Sequence, residues 1–281
     1  MIDAQIVHGT EINNLTGLPQ LTITPLDIAV GSIGYDWAML LDPDWVDEDG
    51  SRARNMPRRF EYGVSFGSSE NPSISTGTFP SGARSFYAAQ GGGAGFGMSA
   101  PGRPNANAWS WVGVAKIEPG TPMRMYANNS SIANTGDIGI YIAISNTGST
   151  LTLFEKWLGS AGINVERLQA TVNLQNDTAP SLLEVDFSVG RGITILKNGV
   201  VLAQNANDTR PLDLGLNAGD NSALIGARGH HGINGLLNFD LSHPSRVPER
   251  RAIEEFAAWQ YDIPTLKAKY PQRPAYFDMS L

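Results

Sequence analysis

The sequence predicts an all-β protein: an antiparallel two-sheet β-sandwich closed by one short C-terminal helix. Three observations carry that prediction. Apolar and polar residues alternate with a period of two along several short segments. Gly (31) and Pro (17) punctuate the chain between those segments. One stretch alone, near residue 250, has the three-to-four spacing of an amphipathic helix. Short strands separated by turn residues build sandwiches and barrels rather than helical bundles.

The elements follow in order. Residues 1–75 are patchy and are read as an N-terminal attachment segment, with the sandwich over 76–263 and an extended tail over 264–281. Within the first segment, Trp37-Ala38-Met39-Leu40-Leu41 is an apolar cluster, and Asp42 to Gly50 is an acidic turn followed by Arg52, Arg54, Arg58 and Arg59. Phe60, Tyr62, Val64 and Phe66 alternate with Glu61, Gly63 and Ser65, which marks a half-buried strand open to inclusion in the same sandwich. Ala88 to Ala108 is dense in Gly and reads as a long loop. Trp109 to Ile117 is a buried strand. Ile138, Ile140, Ile142 and Ile144 form another, with Leu151-Thr152-Leu153 returning after Asn146-Thr147-Gly148. Leu183, Val185, Phe187 and Val189 alternate with polar residues. Thr194-Ile195-Leu196 and Val200-Val201-Leu202 flank Asn198-Gly199, a pair that tolerates positive φ and so marks a hairpin. Leu224 to Gly226 and Leu236 to Leu241 supply the last strands. In the helix, Pro248 suits the first position and Glu249 complements the dipole. Ile253, Phe256, Ala257 and Gln260 share one face, and Pro264 stops the helix.

Composition narrows the function. Charged residues are 17% of the chain, below the usual quarter or so. The net charge is -7 with no basic stripe, which argues against nucleic acid as a partner. No cysteine is present, so disulfides, zinc-thiolate sites and thiol catalysis drop out together. The opening MIDAQIVHGTEINN lacks the basic and apolar regions of a secretory signal, and no apolar run approaches the ~20 residues of a membrane span. The expectation is a protein made in the cytoplasm, without cofactor and without membrane contact.

Three segments carry a family resemblance. They are Val185-Asp186-Phe187 through Asn198-Gly199-Val200, Leu224-Ile225-Gly226-Ala227-Arg228-Gly229, and Ile233-Asn234-Gly235 through Leu241 followed by Glu249 to Ile263. Together they resemble the laminin-G-like jelly roll of the concanavalin A-like superfamily over roughly the last two thirds of the chain. The departure is Ser242-His243-Pro244-Ser245, where the family has an R-A-L-S turn. The resemblance implies a jelly roll of the sort found in polysaccharide-acting enzymes, adhesins and phage virion proteins, and fold alone does not choose among them.

The glycanases of this superfamily carry Glu-x-Asp-x-x-Glu on one strand. Here Glu184 and Asp186 stand in place, but Val189 occupies the third position. Retaining hydrolysis needs two carboxyl groups about 5 Å apart flanking the sugar bond. His230 and His231 are read as histidines of an exposed loop rather than metal ligands, because no third ligand is suitably spaced, and in that place they are open to contact with a sugar or a partner. Trp109 and Trp111 share a strand face, which fits a core and also fits ring stacking on a sugar. Asp42, Asp44 and Asp47 are a weak calcium candidate, with Pro43 and Trp45 interrupting the spacing. Gly91 to Gly97 lacks the spacing of a nucleotide loop. The functional expectation is a non-enzymatic structural or adhesive protein. Its expected setting is a phage virion, as head decoration or tail-associated protein, with other virion proteins or copies of itself as partners. A carbohydrate-binding module is the first alternative and a laminarinase-like glycanase using Glu184 the second.

Overall fold

The computed structural model describes residues 24–31, 33, 37–46, 52–55, 62–65, 76–88, 98–99, 105–117, 123–127, 139–144, 150–158, 164–173, 179–206, 211 and 229–278. The strands are β1 (Trp37–Val46), β2 (Arg52–Asn55), β3 (Tyr62–Ser65), β4 (Thr76–Thr78), β5 (Arg84–Ala88), β6 (Met98–Ser99), β7 (Ala108–Ile117), β8 (Met123–Ala127), β9 (Gly139–Ile144), β10 (Thr150–Leu158), β11 (Asn164–Asn173), β12 (Ser181–Ser188), β13 (Gly192–Lys197), β14 (Val200–Asn205) and β15 (Gly229–Leu237). The helices are α1 (Pro25–Val30), α2 (Val247–Gln260) and α3 (Pro264–Lys269). The chain is thus mostly antiparallel sheet with a short C-terminal helix, as its alternation pattern predicts. No described helix is long and apolar enough to cross a membrane.

Among the described residues, eleven strands form one sheet and four form another. The larger runs β14-β13-β12-β7-β15-β1-β2-β3-β6, with the β4–β5 hairpin joined to β15. The smaller runs β11-β10-β9-β8. The β13–β14 connection is the Asn198-Gly199 turn, where φ is +52° and +74°, the geometry a two-residue hairpin needs. Asn198 also ties the turn back to β12, donating its amide to the Leu182 carbonyl (2.8 Å) and accepting the Leu182 amide on its side chain (2.8 Å).

The side-chain period of two gives the large sheet two different faces. Trp109 and Trp111 lie opposite Phe187 and Val185, which lie opposite Ile193 and Ile195, so these six share one face. All are buried. From the smaller sheet, β11 comes close to β13 and β14. The other face carries Trp37, Leu40, Val112, Val114, Leu182 and Leu237, packed under α1, α2 and α3 through Leu26, Ile253, Phe256, Tyr261 and Leu266. A capping box starts α1: the Thr24 side chain accepts the Asp27 amide, and Asp27 accepts the Thr24 amide.

Several elements differ from the sequence expectation. Residues 37–65 are not an appendage to a sheet that begins at 76. β1 pairs with β15 and lies well inside the large sheet, and β2 and β3 extend it. Long-range pairing of this kind leaves no local pattern to read. Residues 264–278 are not an extended strap either. Asp262 turns the chain at φ +55°, and Pro264 then opens α3 instead of only ending α2. His230 and His231 lie within β15, not in a loop. The expected strand at Leu224 to Gly226, the Gly91 to Gly97 run and Asp47 lie outside the described residues.

Candidate functional site

The Glu184–Asp186 pair is the first arrangement to consider, because it is the only carboxylate pair that the sequence offered for hydrolysis. Both residues project from β12 toward the helix layer, since Leu182 on the same parity joins that core. Each is about 1% exposed. Arg250 of α2 donates to Glu184 (3.0 Å) and approaches Asp186 (3.5 Å). The same guanidinium donates to the Ser242 hydroxyl (2.7 Å), which in turn donates to Asp186. Two residues further along β12, Ser188 donates to Asp240 (2.6 Å), which also holds Arg191 (2.7 Å). Burial pushes the Glu184 carboxyl well above the usual range. The neighbouring Asp186 charge adds to this, and Arg250 works against both. Burial likewise raises Asp186.

This cluster locks the sheet to the helix layer, and no sugar can reach between the two carboxyl groups. Val189, at the third position of the expected motif, sits exposed in the turn after β12. Ser242, which lies in the segment departing from the family pattern, supplies a partner for Asp186. Sequence reasoning missed Arg250 and Ser242. The only available signal was an arginine at the start of a helix whose other face is apolar.

A second arrangement forms where β15 changes partners. Its first residues, Gly229 to His231, pair with β5, while Asn234 to Leu237 pair with β1. Between them the Ile233 amide donates to the buried Tyr261 hydroxyl (3.0 Å). Gly232 lies directly below that ring, and a Cβ there would come within 2.6 Å of it. Burial, followed by the charges of Asp42 and Asp44, raises the Tyr261 phenol well above its usual value. Asp44 is itself raised by burial, with Arg84 opposing, and accepts from Gln260 (3.3 Å).

Beside this junction, His230 faces Tyr87 across one ladder and Lys116 across the other. Directly opposed residues share a sheet face with Cβ atoms about 4.5–5.5 Å apart, so Tyr87, His230 and Lys116 make a row across three strands. All three are half-buried. The His230 and Tyr87 rings lie 4.7 Å apart, and the Phe79 ring lies 5.7 Å from His230. The Ser85 hydroxyl is 2.9 Å from His230 Nδ1 and fixes the ring's orientation.

The sequence-chosen residues therefore separate. His230 is half-buried and keeps some access to solvent. His231 points to the opposite face and is 1% exposed. Trp109 is also 1% exposed and stacks on Phe187 at 6.2 Å, so its ring faces the core. Asp42 is buried and Asp44 half-buried. Among the described residues, no three His, Asp or Glu side chains converge as a metal site requires. Tyr87 and Lys116 were not singled out by sequence, because only strand register brings them beside His230.

No family model and no curated protein matches the sequence. Solved structures do match in fold. The botulinum neurotoxin serotype D binding domain is 10% identical, with a TM-score of 0.51 over 83% of this chain and 53% of that one. A botulinum neurotoxin type C structure, described through cell entry that depends upon interaction with two ganglioside molecules, is 9% identical with a TM-score of 0.54, over 82% and 53%. The binding domain of botulinum neurotoxin DC in complex with SialylT is 9% identical with a TM-score of 0.50, over 80% and 52%. The chain spans about half the length of these structures, and at such identities the likeness is one of fold. The chain shares a largely antiparallel β fold with these toxin binding domains.

Proposed function

We propose that this chain is a non-enzymatic carbohydrate-binding module whose two sheets stack as a sandwich. The half-buried ring row at Tyr87 and His230 carries this reading. Flat side chains held in fixed orientation suit the C–H faces of sugar rings, and hydrogen-bonding edges suit their hydroxyls. The burial of the Trp109 face and the approach of β11 to β13 and β14 support the stacked arrangement. The tying of Glu184 and Asp186 to Arg250 and Ser242 favours binding over hydrolysis. The fold likeness to toxin binding domains, one of them in complex with SialylT, agrees with a binding role.

A broad glycan array tests the proposal directly. Binding to a defined set of saccharides is expected, weakened about tenfold or more by His230→Ala with an unchanged melting temperature. Silence across the array sinks the proposal. Release of reducing sugar from any bound polysaccharide, abolished by Glu184→Gln, overturns its non-enzymatic part. The virion setting is a separate proposal that rests on the low charged fraction and the absence of cysteine. Co-sedimentation with purified particles supports it, and sedimentation as free protein overturns it.

A further inference from the structure

We propose that the Tyr87–His230–Lys116 row is a subsite for the acidic unit of a carboxylate-bearing glycan, an inference that rests on the glycan-binding reading above. Neighbouring strands lie about 4.8 Å apart, so the row is roughly 10 Å long from β5 to β7. That length accommodates one or two pyranose rings laid across the strands. Its composition is graded: an aromatic ring at one end, an imidazole in the middle and an ammonium group at the other end. The row itself carries no carboxylate.

The middle of the row is rigid. The Phe79 and Tyr87 rings both pack near the His230 ring, and Ser85 lies against its Nδ1. Gly77 of the β4–β5 hairpin lies close by, and a Cβ there would stand 3.3 Å from His230 Cε1 and 3.1 Å from Tyr87 Cβ. The absent side chain lets the hairpin close on the rings. A platform ordered before binding loses little conformational entropy when a ligand lands on it. Lys116 differs in kind: its ammonium is a point charge on a flexible stem, able to follow a carboxylate at the edge of the sugar.

The overall charge sharpens the choice of ligand. A chain of net charge -7 repels polyanions at long range, so an acidic glycan binds only where a local cation meets it. A neutral glycan can accept a hydrogen bond from Lys116 but gains no charge attraction from it. Discrimination between acid and neutral forms of one saccharide is therefore the signature of this row, as distinct from stacking alone.

The experiment uses the full chain and an array carrying uronate-containing and sialylated oligosaccharides, each beside its methyl ester, together with neutral hexose oligomers. Hits are followed by calorimetric titration. The expected result is at least tenfold tighter binding of an acid than of its ester. In Lys116→Met that ratio should fall toward one, while Tyr87→Ala weakens both forms. Thermal melts confirm that the variants fold, and Lys116→Arg should restore most of the discrimination if Lys116→Met proves unstable. Equal binding of acid and ester, or binding of neutral glycans alone, overturns the acidic class and leaves the glycan-binding reading standing. Undiminished discrimination in Lys116→Met overturns the row as its location. Silence across the whole array removes both readings.

Discussion

At the scale of single residues, Glu184 shows how a sequence motif and its surroundings can point in opposite directions. The spacing Glu184-Val185-Asp186 suits a catalytic face, yet both carboxyl groups face a helix. Burial raises Glu184 above its unfolded value of about 4.3. A carboxyl whose folded pKa is raised contributes stability that is fully present below the unfolded value and is lost as pH rises through the folded one. Glu184→Gln should therefore fold normally and flatten the fall in melting temperature that begins as pH rises above the ordinary carboxylate range, and an unchanged slope would contradict the assignment. Arg250→Ala leaves two buried carboxyl groups without their cation. It should cost roughly 3 kcal/mol, at the low end for a broken buried pair because Arg250 keeps some exposure. Tyr261→Phe removes the acceptor of the Ile233 amide at the strand junction and should cost about 1–3 kcal/mol by chemical denaturation. A loss below a few tenths would mean that another group takes that amide.

At the scale of elements, the β13–β14 hairpin and α2 depend on one another. Gly199 needs its positive φ, and a Cβ there would come within 2.4 Å of Glu254 Oε1. Glu254 is fully buried and holds Lys269 (2.6 Å) and the Tyr270 hydroxyl from the end of α3. The left-handed conformation alone costs a non-glycine residue about 1–2 kcal/mol. Gly199→Ala should exceed that and loosen α3 along with the turn, read as faster amide exchange at Lys269 and Tyr270. An exchange pattern confined to the hairpin would separate the two elements. The hairpin itself was legible, because Asn-Gly between apolar runs has one favoured geometry. So were β7, β9, β12 and α2, where the hydrophobic period matches the element. The role of Pro264 was not legible: a proline that cannot continue one helix is equally suited to start the next, and only the turn at Asp262 decides. The row at His230 was half legible. Two adjacent histidines flagged the place, but alternation sends one to each face, and register with β5 and β7, which no local pattern encodes, supplies Tyr87 and Lys116.

At the scale of the whole molecule, the largest difference between expectation and structure is the place of β1. Read locally, residues 1–75 look detachable, because their patterning is weak. In the fold, β1 covers the edge of β15 from Asn234 to Leu237, and Trp37 and Leu40 join the core beneath the helices. A chain beginning at residue 76 should fail to give a cooperative melt, and a soluble, cooperatively melting truncation would restore the boundary at 75. The helix layer has a further consequence for how the protein is made. Among the described elements, α1 precedes every strand in synthesis, while α2 and α3 follow all of them, yet they close over the same face. The ribosome adds about 5–20 residues per second. For the time needed to pass from Leu237 to Leu266, Trp37, Val112, Val114 and Leu237 wait without their final cover. Until then one side of the sheet is apolar and uncovered, and a chaperone or a neighbouring nascent chain would meet it there.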